Sequence, residues 1–374
     1  IYICMDKLTI EIVNISKLCN KATDGEALSA EEGLYLYNEA SLGILMETAN
    51  TIRKIKHPDN DVGWIIDRNV NITNVCFSFC KFCNFCRTAR SDEAYVTTME
   101  EYREKINELF EQGGNQILLQ GGMHPKFGIE DYCKLFSDLK KEFPTLKFHA
   151  LGPPEIVHIA NLAGLDYEAT LVRLRKAGLD SLPGAGAEVL VDRVRHEVSP
   201  SKCTTDEWLD VMRVAHRLNL PTSATMMFGH VETLAERIEH LIRIREVQDE
   251  VPSGHFGFIN FVPWPFMDEG TQLKDKLGIS NSVDARAYIR LMAMARIMLN
   301  NISHIQASWL TVGQSVAELC LHAGANDFGS IMIEENVVSS AGAKYTMDAD
   351  RIQRSIRQAG FIPYRRNQKF EKIG

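Results

Sequence analysis

The sequence predicts an α/β protein of the (β/α)8, TIM-type barrel class, with an N-terminal helical extension and a C-terminal helix/strand extension. Three observations predict it. From Asn69 onward, short β-rich runs alternate with amphipathic helical runs, eight strand candidates in all. No shift of composition marks a linker between them. The stretch from Asn69 to about Ile333 has the length of a typical barrel, and regular β/α alternation is the signature of a parallel sheet flanked by helices. A doubly wound open sheet shares this periodicity and is the competing architecture.

In chain order, the strand candidates are 69–75, 115–120, 146–151, 179–183, 222–228, 255–262, 304–309 and 328–333. Helical runs fall at 99–112, 130–143, 166–177, 204–218, 233–249, 284–299 and 313–323. Gly113-Gly114, Gly178 and Gly324 stand where helices should stop, and Asp284 stands as an N-cap. Residues 28–57 read as an amphipathic helix or helix pair, and 348–359 as a last helix before Phe361-Ile362-Pro363-Tyr364. The expected organisation is 1–68 as the N-terminal extension, 69–335 as the barrel, and 336–374 as an extension packed on it or closing one mouth.

Composition bounds the chemistry. A chain of 374 residues with 45% apolar content can bury one large core, and a net charge of −8 without like-charge runs argues against nucleic acid or an anionic membrane as partner. No stretch approaches eighteen apolar residues, and the start lacks a secretory pattern. Nine cysteines, an odd number and partly clustered, fit a reducing interior, so the cytoplasm is the expected location.

The chemistry concentrates in Cys76-Phe77-Ser78-Phe79-Cys80-Lys81-Phe82-Cys83, directly after the first strand candidate. Three thiolates on one loop can hold three corners of a cubane iron–sulfur cluster, leaving the fourth iron open; zinc is the competing soft metal. Cys4, Cys19, Cys133, Cys203 and Cys320 are scattered and read as buried apolar side chains. Cys86 continues the series and reads as an oxidisable neighbour of the cluster.

Barrel sites gather at the C-terminal ends of the strands, and the remaining peculiar residues fall there. Gly121-Gly122 lets backbone approach a ligand closely, with His124 two residues on. Glu188 arrives as a rim carboxylate able to accept two hydrogen bonds from a diol, or as a first-turn helix carboxylate. Arg193 and Arg195 follow, and either can clamp a carboxylate. Strand five carries Met227, Gly229 and Glu232; strand six ends at Trp264 between two prolines, suited to an aromatic substrate. Gln306, Ser308, Asp327 and Glu334 supply polar groups at the mouth, for hydroxyls or as a base.

The cysteine spacing, with aromatic Phe82 before the last thiol, resembles the radical S-adenosylmethionine (SAM) superfamily. Further segments narrow the likeness: Asn71 to Cys76, Gln120 to Pro125, Pro153-Pro154-Glu155-Ile156, Gly178 to Gly184, Ala224 to Thr233, Phe261 to Phe266, Gln306 to Trp309 and Glu334 to Val337. From about Leu28 to Tyr364 the chain resembles the radical enzymes of the futalosine route to menaquinone. The cyclase subgroup, which acts on dehypoxanthine futalosine, is the nearest in motif; aminofutalosine synthase and a subunit of the deazaflavin-cofactor synthase are its siblings. The resemblance implies a [4Fe-4S] cluster on Cys76, Cys80 and Cys83, and SAM held by Phe82, Gly121, Gly122, Glu188, Arg193, Met227 and Gly229. It also implies an electron donor such as flavodoxin or ferredoxin. Trp264, Gln306 and Ser308 are then candidates for substrate binding, and His124, Asp327 and Glu334 for the proton acceptor. Two positions depart from the family pattern: Cys86 stands where an aromatic residue is expected, and Ala185 where glycine is frequent.

Overall fold

The computed structural model describes residues 14–373. Cys4 and the first half of the expected N-terminal extension's leading segment lie outside them. Residues 14–23 are helical (α1), followed by α2 (Ala30–Glu39) and α3 (Leu42–Lys56). Ser29 and Ser41 cap α2 and α3 through their hydroxyls, each accepting a backbone N–H in the first turn. The strands are β1 (Asp61–Ile65), β2 (Asp67–Asn71), β3 (Gln116–Gln120), β4 (Lys147–Ala150), β5 (Thr222–Phe228), β6 (Phe258–Pro265), β7 (His304–Ile305), β8 (Asp327–Ser330) and β9 (Ile362–Arg365). Between them run α4 (Met99–Glu111), α5 (Ile129–Glu142), α6 (Pro153–Ala163), α7 (Tyr167–Ala177), α8 (Asp192–Val198), α9 (Thr205–Arg217) and α10 (Leu234–Asp249). The series continues with α11 (Gln272–Leu277), α12 (Ala285–Met298), α13 (Trp309–Val312), α14 (Gln314–Leu321) and α15 (Ala349–Gln358).

All strand pairing between these elements is parallel, in three sheets ordered β8-β1-β9, β2-β3-β4 and β5-β6-β7. Single parallel bridges continue the pattern between the sheets: His149 with Ser181, Leu182 with Thr222, and Gln306 with Asp327. β1 and β2 are consecutive, so one chain segment from Asp61 to Asn71 pairs with β8 in its first half and β3 in its second. That segment begins ahead of the expected strand at 69–75 and crosses the expected boundary at residue 68. The polar run Asp67-Arg68-Asn69 hides this strand in the sequence, yet all three residues are buried. Expected strand 179–183 is reduced to its bridging residues Ser181 and Leu182.

Helix α6 lies between the expected strand at 146–151 and the expected helix at 166–177 and was not among the sequence expectations. Proline is tolerated in a first helical turn, where its missing N–H has no partner to lose, and here Pro153 and Pro154 both open α6. The capping signals held elsewhere: Asp284 accepts the Ala287 N–H to start α12. β9 pairs in register with β1 from Asp61–Ile362 to Trp64–Arg365. The following residues then cross beneath the strands. The Arg366 N–H donates to the Trp64 carbonyl (2.9 Å), Phe370 stacks on His304 at the start of β7 (4.3 Å), and Lys369 lies over Phe256 just before β6. The C-terminal segment therefore covers the N-terminal ends of the strands, opposite the cysteine loop.

Candidate active site

The cysteine loop is held by backbone bonds to three neighbouring elements. Phe77 N–H donates to the Met123 carbonyl (3.1 Å), Lys81 N–H to the Val198 carbonyl (2.8 Å), and the Lys81 carbonyl accepts from Leu273 N–H (2.9 Å). Phe79 takes a left-handed conformation (φ 46°), which turns the loop so that Cys76, Cys80 and Cys83 all face one cavity. None of these thiols is in a disulfide. Burial pushes the Cys80 thiol up to about 12 and raises Cys83, so a thiolate at either position needs a cation beside it. Cys76, hydrogen-bonded with Cys86, is lowered to about 5.

The glycine pair explains how the loop is placed. A Cβ on Gly121 would lie 2.7 Å from the Thr73 carbonyl oxygen, and one on Gly122 would meet the Val75 carbonyl, 2.6 Å from its carbon. The backbone after β3 thus packs directly on the backbone leading into Cys76, and only glycine allows that approach.

Across the cavity stand three ionisable side chains. Glu188 (φ 44°) is 3% exposed, and its Oε1 lies 2.7 Å from Lys202 Nζ. Burial works to raise the Glu188 pKa, but the Lys202 ammonium, the Arg195 guanidinium and a backbone hydrogen bond together hold the carboxyl below its ordinary value. Burial works to lower Lys202, and Cys80, Glu188 and Glu155 outweigh that, so the amine stays charged. Its ammonium also lies 5.3 Å from the centre of the Phe82 ring. Glu155, in the first turn of α6, is raised to about 7 by burial, with Lys202 opposing. Buried Arg195 holds this region together by donating to the carbonyls of Gly186, Ala187 and Cys203, so it is engaged away from any ligand.

The cavity encloses about 370 Å³. Its upper part is bounded by the cysteine loop, Phe82, Gly121, Gly122, Glu188 and Lys202, its middle by Trp264, Gln306, Ser308 and Trp309, and its far end by the C-terminal segment. Ten of the sequence-predicted residues meet here: Cys76, Cys80, Cys83, Phe82, Gly121, Gly122, Glu188, Trp264, Gln306 and Ser308.

Six others do not line it, and each has a structural occupation. Arg193 is half exposed and bound to Glu236 and Glu197 on the outside. Asp327 is fully buried and takes Arg366 bidentately at 2.6 and 3.0 Å. Glu334 is held ionised by Lys105, Asn336 and Arg68 against its partial burial, which makes it a poor base. His124 stacks on Phe127 (4.1 Å) and its Nδ1 accepts the Lys126 N–H. Met227 packs with Val198, Phe266 and Leu273 behind Phe82. Gly229 (φ 93°) forms a turn whose N–H donates to Glu232 Oε1 (2.6 Å), so Glu232 serves the loop and not a ligand. In this structure these six residues are engaged with other partners. Placement at a strand end says that a residue is near the mouth, but not to which side of the wall its side chain turns. Arg193→Ala is accordingly expected to leave SAM affinity unchanged and stability within roughly 0.5 kcal/mol, read by calorimetry and thermal melting.

Sequence reasoning missed Glu155, Lys202, Trp309 and the C-terminal residues Arg366, Gln368 and Phe370. A carboxylate in the first turn of a Pro-Pro helix start was a usable signal for Glu155. Lys202, in the loop between α8 and α9, carried none.

The residues present fit an iron–sulfur cluster. Three free thiols of one loop that face a common cavity suit a cubane, in which each thiolate takes its own iron. Beside them, the bare backbone of the glycine pair and the Glu188–Lys202 pair offer groups of both signs to a zwitterionic amino acid and a ribose diol.

Comparison with known proteins agrees. Residues 70–244 match the model of the Radical SAM superfamily, and 255–373 that of the CofH/MqnC C-terminal region. The chain is 40% identical, over 97% of its length and 90% of the relative's, to the cyclic dehypoxanthine futalosine synthase of Streptomyces coelicolor. It is 35% identical, over 95% of both chains, to the aminodeoxyfutalosine synthase of Thermus thermophilus. In structure it is similar to methylornithine synthase (PylB), with a TM-score of 0.67 over 92% of this chain and 97% of that one at 21% identity, a likeness of TIM-type barrel fold alone. With its thiol triad, glycine pair and parallel β/α architecture, the chain belongs to the radical SAM superfamily, in the family that contains the CofH and MqnC enzymes.

Proposed function

We propose that this protein is a radical SAM cyclase that converts dehypoxanthine futalosine to cyclic dehypoxanthine futalosine in menaquinone biosynthesis, working in the cytoplasm with a flavodoxin- or ferredoxin-type electron donor. The observation that carries it is the cavity itself, with three free thiols at one end and Trp264 and Trp309 along its wall. The higher identity to the Streptomyces synthase favours cyclisation over the sibling's adenosyl transfer. The reading includes a closed eight-stranded barrel, supported by the run of parallel pairings and bridges around the strands. It also includes the division into helical extension, barrel and C-terminal extension, with the first boundary moved to residue 60 to keep β1 whole.

Cys76, Cys80 and Cys83 would hold the cluster. When bound, cluster and SAM would supply the radical chemistry for hydrogen abstraction at the substrate's ribose C4'. The protein's own tasks are positional. Holding ribose C4' against the benzoate ring of the same substrate selects the folded conformer in which the two carbons can react. Restoring the aromatic ring then releases a proton, which a base of the protein must accept, and one electron, which returns to the flavodoxin- or ferredoxin-type carrier. Glu155 takes the place of His124, Asp327 and Glu334 as proton acceptor, since it lines the cavity and titrates near neutrality. Lys202 takes the place of Arg193 at the methionine carboxylate. Lys202→Met is expected to weaken SAM binding at least about tenfold, the usual range for losing a charge-assisted hydrogen bond, with iron content unchanged; unchanged affinity would remove Lys202 from this role.

Anaerobic incubation of reduced, reconstituted enzyme with dehypoxanthine futalosine, and in parallel with an enolpyruvyl benzoate, tests the reading. Cyclised product with free 5'-deoxyadenosine is expected. Incorporation of the adenosyl group into an enolpyruvyl benzoate would assign the sibling reaction instead.

A further inference from the structure

The lower half of the cavity is lined by polar side chains from the N-terminal ends of the strands, where a TIM-type barrel ordinarily packs branched apolar residues. Gln116 opens β3 and is 5% exposed. Its Nε2 donates to Asp67 Oδ2 (3.0 Å), which fixes the amide so that Oε1 has no partner. A second hydrogen-bonded chain faces it: Ser181 Oγ lies 2.6 Å from His149 Nδ1 and accepts from Gln368 of the C-terminal segment. A buried acceptor left unpaired is unfavourable, so a donor is missing from this floor.

The charge balance says what kind of donor. Arg366, the only guanidinium lining the cavity among the described residues, is neutralised by Asp327. Burial lowers His149 to about 3, so it is uncharged. Asp67 contributes a further carboxyl, already accepting from Gln116 and Ser330. A floor with no free cation and an unpaired acceptor repels a carboxylate and suits neutral hydroxyls, which both donate and accept.

We propose that this floor is a binding site for the furanose hydroxyls of the substrate, with Gln116 Oε1 as their acceptor and Ser181 opposite. The inference rests on the cyclase reading and orients the substrate within it. The sugar hydroxyls point down to the C-terminal segment, C4' faces up toward the thiols, and the aromatic end folds back along Trp264 and Trp309.

Anaerobic calorimetry on the reconstituted enzyme with SAM tests this, using dehypoxanthine futalosine and its tetrahydrofuran analogue lacking the three ring hydroxyls. Wild type is expected to bind the analogue at least about tenfold more weakly, the low end for losing a partner of a buried polar group. Gln116→Leu is expected to bind the two alike. Ser181→Ala, a smaller change for use if Gln116→Leu does not fold, is expected to narrow the gap. Equal affinity of wild type for both ligands, or a wild-type gap retained in the variants, overturns the proposal. Equal affinity with normal cyclisation would overturn the floor site alone; a clear gap without cyclisation would overturn the cyclase reading alone.

Discussion

Glu155→Gln is expected to lower the rate of cyclised product by about 10²-fold or more, the range found for loss of a positioned general base. The change keeps side-chain shape and removes only the ability to take a proton. The wild-type rate should also rise with pH through about 7 and then level, because a carboxyl whose pKa is raised to that value is protonated, and useless as a base, below it. The variant should lack this limb. Release of 5'-deoxyadenosine should fall less than product, since hydrogen abstraction precedes proton loss. An unchanged rate and an unchanged pH profile would take Glu155 out of the mechanism.

Gly122→Ala is expected to abolish cluster retention without unfolding the barrel. The added methyl would meet the carbonyl of Val75, the residue immediately before Cys76. Backbone on both sides leaves no flexible atom to yield, so the cysteine loop must shift, and cluster ligation tolerates little shift. After reconstitution, the variant should show little iron and no cluster absorption while its helical circular dichroism stays close to wild type. Full iron content in the variant would show that the loop has slack and that the glycine pair is dispensable for placing it.

Much of the architecture was legible because period and punctuation agree. Amphipathic runs at 204–218 and 233–249 carry capping boxes at Thr204 and Thr233, and both became helices within a residue of expectation. The first strand was misplaced because its face toward the barrel interior is polar. Asp67 and Arg68 look like surface residues, yet one meets Gln116 and the other Glu334 and Glu108. The thiol triad and glycine pair could be read because each needs a fixed local spacing. Lys202 could not, and the helix-start signal at Glu155 did not reveal their partnership, since the two come together only when loops after different strands converge. The C-terminal segment reaches the cavity from the opposite end of the barrel, through a parallel pairing of β9 with β1 across some three hundred residues that no local pattern announces.

Iron and zinc content after anaerobic reconstitution is the most direct test of the central claim, that three thiols of one loop hold a cluster with one iron left open. Wild type and Cys86→Ala should each carry about four irons per chain and, after one-electron reduction, show an electron paramagnetic resonance signal that changes on adding SAM. Cys76→Ala, Cys80→Ala and Cys83→Ala should each lose the cluster. Stoichiometric zinc without iron, or an intact SAM-responsive cluster after removal of any one of the three, would contradict the account.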